Sequence, residues 1–208
     1  FWQSARAAGM PFALDFRLRP EGRAGLLVRS LEGFRNYAER DMESWERFAL
    51  LRSRSLTPSI DGQNPIRETL RQRSLDGAML AELVAMKRRI EIERVPAHQK
   101  TRKVKLGWGG LDDIVWTAQL LVMRHPEAAG QTASIDGWLH GLAEIGALNA
   151  AETMVLRGAR EHHLRTRNWL WLLGHEEDLV PENPDKLAHL SRAMGYDGAN
   201  EFLEKDRD

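Results

Sequence analysis

Lys105-Leu106-Gly107-Trp108-Gly109-Gly110-Leu111-Asp112-Asp113-Ile114-Val115-Trp116-Thr117-Ala118-Gln119-Leu120-Leu121-Val122-Met123 opens as a glycine-rich turn and continues as a helix. From residue 111 to 123 apolar side chains occupy most sides rather than one stripe. That pattern belongs to a helix at the centre of a bundle. The flanking sequence supplies helices to surround it. Upstream, residues 78–95 carry Met79, Leu80, Leu83, Val84, Met86 and Ile90 at spacings of three and four, an apolar stripe on one face. Downstream, Ser134 starts a helix bearing Ile135, Trp138, Leu139, Leu142 and Ile145. Asn149 followed by Glu152 is a capping box that opens a long helix towards Leu173, with Gly174 just past its end. Asn183-Pro184 opens a short helix closing at Gly195. Five or more helices in a bundle are expected.

The beginning of the chain follows a different period. Leu14, Phe16 and Leu18 alternate with Asp15, Arg17 and Arg19, the period of a half-buried strand. Pro20 ends it, because proline cannot donate to a ladder. A turn over residues 21–25 leads to Leu26-Leu27-Val28, expected as a second strand. Ser30 is placed to cap a helix from Leu31 carrying Phe34 and Tyr37. A further helix is expected over residues 43–54, with Trp45, Phe48, Ala49 and Leu51 available for burial. Turn-formers then accumulate in Thr57-Pro58-Ser59-Ile60-Asp61-Gly62-Gln63-Asn64-Pro65. The expected fold class is therefore mostly α, a short β-ribbon followed by a helical bundle, divided into residues 1–57 and 58–208.

Composition narrows the function classes. The chain has 208 residues, 30 Lys+Arg against 30 Asp+Glu, and no cysteine. Thiolate zinc sites, disulfides and cysteine nucleophiles are excluded together. Zero net charge argues against a nucleic-acid-coating protein, and no apolar run reaches the roughly 18 residues of a membrane span. Phe1-Trp2-Gln3-Ser4-Ala5-Arg6 has neither a starting Met nor a signal layout. A cytoplasmic protein is expected, cut from a longer chain.

The strand at residues 14–19 lines up Asp15, Arg17 and Arg19 on one face. Around a polyphosphate, such a carboxylate can hold a hard divalent cation and such guanidinium groups can hold phosphate oxygens. The same charges could equally form the solvated face of an edge strand, and the pattern alone leaves both open. The turn at residues 105–110 lacks P-loop spacing and the Lys-Ser/Thr ending. A bend placing Lys105 near a cleft or a helix start is the expected use. Residues 67–105 hold eleven Lys/Arg and five Asp/Glu, which suits an acidic partner or nucleotide as well as a solvated helix face. His162 and His163 are expected to point apart on a helix and to lack a third ligand, so no metal site is predicted there. Trp169 and Trp171 are expected in the bundle core.

Four blocks, taken in order, resemble one known family. Leu14-Asp15-Phe16-Arg17-Leu18-Arg19-Pro20-Glu21-Gly22-Arg23-Ala24-Gly25-Leu26-Leu27-Val28 is similar to the V-D-x-R-L-R-P-x-G-x-x-G-x-L-V strand–turn–strand of glutamine-synthetase adenylyltransferases. Trp45-Glu46-Arg47-Phe48-Ala49-Leu50-Leu51-Arg52-Ser53-Arg54 resembles W-E-R-x-A-x-x-x-A-R, and Met86-Lys87-Arg88-Arg89-Ile90 resembles M-K-x-x-I. Residues 105–114 resemble K-L-G-x-G-G-I-x-[DE]-I, with Gln119 where the family has its following Gln. Val115 and Trp116 depart from it, since Glu then Phe are usual there.

The resemblance implies a nucleotidyltransferase domain of the polymerase-β type, truncated at its front, followed by a helical domain. Asp15 matches the third catalytic carboxylate. The G-S-x-x-D-x-D segment that supplies the other two is absent, and the adjacent pair Asp112-Asp113 does not replace it. Two-metal nucleotidyl transfer is implied, with Asp15 on Mg²⁺ or taking the tyrosyl proton, and Arg17, Arg19 and Lys105 near phosphate. The implied partners are glutamine synthetase and ATP, and the 208 residues alone are expected to be inactive. The W-E-R block leans towards the half that removes AMP, and residues 119–124 towards the half that attaches it. Two other readings stay open: a helical module docking glutamine synthetase or a PII-type signalling protein, and a uridylyltransferase relative.

Overall fold

In a computed structural model of the chain, residues 21, 25–53, 65–72, 74–130 and 133–207 are described. Nine α-helices run through these residues: α1 Leu31–Arg40, α2 Ser44–Leu50, α3 Pro65–Arg71, α4 Gly77–Glu93, α5 Leu111–Arg124, α6 Ile135–Glu144, α7 Ala150–Leu172, α8 Pro184–Ala193 and α9 Ala199–Arg207. Single 3-10 turns lie at Ala97–Gln99 and Pro126–Ala129. Contacts divide the chain into two compact units, Phe1–Gln72 and Arg73–Asp208.

In the first unit the Ser30 hydroxyl accepts from the Gly33 amide at 3.0 Å, which fixes the start of α1 where the sequence placed it. Phe34, Tyr37, Ala38, Met42 and Leu70 form a buried cluster that joins α1 to α3. The helix expected over residues 43–54 is shorter. Glu43 is its cap, closing a capping box with Glu46, and α2 ends at Leu50. Beyond it Arg52 and Ser53 bond back three residues, to Ala49 and Leu50, and this tightening terminates the helix. Phe48 and Leu51 are buried, whereas Trp45 and Ala49 are half-buried.

The second strand of the expected β-ribbon is not seen. Residues 14–19 lie outside the described residues, and among those described there is no strand. Leu26, Leu27 and Val28 form a bend, each more than two-thirds exposed. Three apolar residues make a strand only where a neighbouring ladder takes up their amides, and none reaches them among the described residues.

In the second unit the expected bundle is present. α5 is central: Leu111, Ile114, Trp116, Ala118, Gln119, Val122 and Met123 are buried, and it packs on both α6 and α7. Asp76 caps α4, its carboxylate accepting from the Met79 amide at 2.8 Å. The stripe of α4 is only partly covered, for Met79 and Leu83 are buried while Leu80 and Val84 are exposed. The Asn149–Glu152 capping box opens α7, and Gly174 and Gly195 take positive φ (79° and 83°) after α7 and α8. A second core collects Val104, Leu111, Leu170, Val180, Leu187, Leu190, Met194 and Phe202, so the glycine turn, α7, α8 and α9 share one interior. Trp169 packs against this core from its edge. Trp171, expected in the core, is exposed instead, as is Leu172. The helical period explains this: Thr166 and Leu170 already point inward, and Trp171 lies one residue, about 100°, further round.

Candidate functional site

In the first unit a knot of polar groups holds the chain directly after the Asp15–Pro20 segment. Glu46, the glutamate of Trp45-Glu46-Arg47, is buried on α2 with 4% exposure. Its Oε1 accepts the Glu21 amide at 3.1 Å, and its Oε2 accepts the Glu43 amide at 3.1 Å. The Tyr37 hydroxyl donates to Oε2 as well and accepts from the Glu21 amide at 3.1 Å. Burial and the hydrogen bond to Glu46 push the Tyr37 hydroxyl up to about 12. Glu21 has φ 61°, in the left-handed region that a side chain rarely adopts. Its amide, held twice, over-determines that conformation. Arg29 completes the knot, bonding Glu21 Oε2 at 2.7 Å and lying 4.9 Å from the centre of the Tyr37 ring. Arg47, 2% exposed, donates to the carbonyls of Ala38 (2.6 Å) and Leu70 (3.3 Å) and so ties α1 to α3.

In the second unit two blocks that are separate in sequence meet in space. Lys87, from Met86-Lys87-Arg88-Arg89-Ile90 on α4, pairs with Asp113 on the first turn of α5. Asp112 lies 3.9 Å from the same ammonium and Glu91 3.3 Å. Burial pulls the Lys87 pKa down, but the hydrogen bond and charge of Asp113, with Asp112 and Glu91, outweigh it and leave the group above its ordinary value. An open groove of about 340 Å³ lies beside the pair, lined by Val84, Lys87, Arg88, Glu91, Asp113, Trp116, Thr117 and Leu120.

The glycine turn is closed by its own backbone. The amides of Gly107, Trp108, Gly110, Leu111 and Asp112 bond to the carbonyls of Lys103, Lys100, Gly107, Val104 and Lys105, at 2.7–3.1 Å. The Gly109 amide bonds to Asp113 Oδ2 at 2.8 Å. A Cβ on Gly110 would stand 2.7 Å from the Val104 carbonyl, and one on Gly107 would strike the carbonyls of Lys103 and Lys100. With these amides occupied and two carboxylates on the first helical turn, the turn is a structural corner and no phosphate cradle. Lys105 sits on it with an exposed side chain, its amide held by Asp178 Oδ2 at 3.1 Å. Asp15, Arg17 and Arg19 lie outside the described residues.

The basic surplus of residues 67–105 is partly neutralised within the fold. Lys87 is paired as above, Arg102 forms an ion pair with Glu182 at 2.5 Å, and Lys103 bonds Glu177 at 2.6 Å. The histidine pair reverses an expectation. His162 and His163 do not diverge: both reach Asp206 on α9, at 3.2 and 3.8 Å. The third group comes from 44 residues further on, so local spacing gave no sign of it.

Comparison with known proteins places these features in a family context. Residues 2–69 match the family model described as glutamate-ammonia ligase adenylyltransferase, and residues 84–206 match that described as GlnD PII-uridylyltransferase. The chain is 35% identical over 93% of its length to the bifunctional glutamine synthetase adenylyltransferase/adenylyl-removing enzyme of Cutibacterium acnes. It is 33% identical over 97% to that of Streptomyces coelicolor and 35% identical over 93% to that of Mycobacterium leprae. It spans about a fifth of the length of these relatives, 21%, 21% and 20%.

Proposed function

The chain belongs to the glutamine synthetase adenylyltransferase/adenylyl-removing family, its helical part being of the PII-uridylyltransferase type, and from that premise we propose that it is part of an enzyme attaching AMP to, or removing it from, a tyrosine of glutamine synthetase. The reading divides the chain at residue 57 into the back of a nucleotidyltransferase domain and the helical domain that accompanies it. The observation that carries it is the adenylyltransferase match over residues 2–69, a stretch containing Asp15, Arg17 and Arg19.

Each residue has a role that suits its chemistry. Asp15 offers hard carboxylate oxygens of the kind Mg²⁺ takes, or a base for the tyrosyl proton. When bound, Mg²⁺ supplies the charge that offsets the triphosphate or phosphate substrate. Arg17 and Arg19 hold phosphate oxygens through planar forks, and exposed Lys105 adds a point charge. Glu46 and Tyr37 fix the backbone at Glu21, the residue that directly follows the Asp15–Pro20 segment. The helical unit presents the protein substrate. ATP, glutamine synthetase and a PII-type signalling protein are the partners of this reading, and the cytoplasm is its setting.

The test uses the full-length protein with Mg²⁺, ATP and purified glutamine synthetase. One AMP per tyrosine is expected by intact mass, lost in Asp15→Asn, while the 208-residue chain alone transfers nothing. Transfer undiminished by Asp15→Asn would reduce the chain to a docking module. The match of residues 84–206 favours one second reading, a uridylyltransferase relative. UTP-dependent labelling of a PII-type protein, with glutamine synthetase left unlabelled, would select it.

A further inference from the structure

We propose that His162, His163 and Asp206 form a binding site for one divalent transition-metal ion, zinc above all, that fastens α9 to α7. The His162 Nε2, His163 Nδ1 and Asp206 carboxylate oxygen all lie within 4.8 Å of one another. Ligand atoms about 2.0–2.2 Å from a shared zinc sit roughly 3.4 Å apart. The 3.2 and 3.8 Å separations to Asp206 Oδ1 are already of that size, and the two histidine ligand atoms lie within 4.8 Å of each other. The three side chains are only 6%, 12% and 11% exposed, so this is an interior constellation and no chance surface chelate.

The contacts leave one nitrogen of each imidazole facing Asp206. The Tyr196 hydroxyl meets His162 Nδ1 at 3.1 Å, leaving Nε2 facing Asp206. His163 takes a backbone hydrogen bond to Gly109, while its buried Nδ1 has no hydrogen-bond partner among the described residues. A histidine that donates from one nitrogen and presents the other to a carboxylate has the tautomer a metal ligand needs.

One proton cannot satisfy this arrangement. If His162 Nε2 carries it to Asp206 Oδ1, His163 Nδ1 stays a buried acceptor without a hydrogen bond. A divalent cation satisfies all three groups together, and water completes a tetrahedron. Two imidazoles and one carboxylate suit zinc better than magnesium or calcium, which prefer oxygen alone. The rings of Tyr196 and Phe202, 6.2 and 5.6 Å from the His162 ring, wall the site.

Metal-free 208-residue chain titrated with Co²⁺ is the direct test. Equimolar binding with the visible absorption of tetrahedral Co²⁺ is expected, displaced by Zn²⁺, with a rise in Tm on zinc addition. Asp206→Asn and His163→Gln should abolish the bands, Tyr196→Phe should weaken binding about tenfold, and His98→Gln, at an exposed position, should leave it unchanged. Should the variants unfold, imidazole ¹⁵N NMR of the unaltered chain still decides, because two nitrogens shift on zinc addition only if both histidines ligate. Absent bands, or bands that persist in folded Asp206→Asn, would overturn the site and leave a proton shared by His162 and Asp206.

Discussion

Lys87 on α4 and Asp113 on the first turn of α5 are joined by an ion pair within the fold, and the same carboxylate holds the Gly109 amide through its other oxygen. One aspartate therefore ties a neighbouring helix to the glycine turn. Because the folded Lys87 pKa is raised, its stabilisation is fully present below the ordinary lysine value of 10.5 and is lost as pH rises past the folded value. Stability measured by urea between pH 6 and 9 should owe nothing to this titration, and a decline due to Lys87 should begin above pH 10.5 and be absent in Lys87→Met.

Asp113→Ala removes both contacts and leaves an ammonium half-buried without its main partner. We expect a loss of about 2–4 kcal/mol by urea unfolding. Asp113→Asn keeps an acceptor for the Gly109 amide and should recover part of that loss.

Glu46 accepts three donors in the first unit, so truncating it orphans the Glu21 and Glu43 amides and the Tyr37 hydroxyl together. Glu46→Ala should destabilise this unit by about 2–4 kcal/mol, read from its thermal or denaturant transition, with Glu46→Gln intermediate.

The Tyr37 phenol should ionise late. Its stabilisation is complete below the unfolded value of 10.0 and disappears as pH climbs towards about 12. In a Tyr196→Phe background, where Tyr37 is the remaining tyrosine, phenolate absorbance should reach its midpoint near that value. Glu46→Gln should bring the midpoint down. A midpoint at the ordinary value in the folded, unaltered Glu46 protein would contradict the buried pairing.

Arg47 bonds two carbonyls on separate helices through its two terminal nitrogens. A lysine has one ammonium on a flexible stem and cannot span the same fork. Arg47→Lys should therefore lose about as much as Arg47→Met, on the order of 2 kcal/mol or more by denaturant titration.

Much of the bundle was legible because local rules agreed with tertiary ones. Ser30, Asn149 and Asn183 stood where their side chains could accept the third amide onward, and each became a cap. Gly174 and Gly195 ended helices with the positive φ that glycine tolerates. Misplacements arose where a distant partner decides. Trp171 looked like core because it is large and apolar, yet its angular position beside Leu170 puts it outside. The Leu26–Val28 run has strand composition, but composition does not provide a ladder. α9 was not foreseen as a separate helix, and with it went Asp206 and the convergence of the two histidines. Lys87 and Asp113 each sat in a block singled out by resemblance, but neither block's spacing revealed that the two would meet. Around Glu46 and Lys87, the blocks were readable in the sequence and the contacts that join them were not. Asp15, Arg17 and Arg19 carry the chemistry of the reading, while Glu46, Tyr37 and Arg29 hold the neighbouring Glu21 from 25, 16 and 8 residues away in sequence.

The antiparallel bridge between Lys103 and Leu179 has a consequence for divergence among relatives. Val104 donates its amide to Asp178 and Val180 donates to Arg102, both at 2.9 Å. Main-chain groups make this clasp, so at Arg102, Lys103 and Leu179 many side chains can stand without releasing it, while Val104 and Val180, buried in the second core, are held to apolar types. Proline at 104 or 180 would break it, having no amide to give. Lineages can thus rewrite the side chains of this seam, and with them the charge it shows to the outside, while the corner beneath keeps its shape.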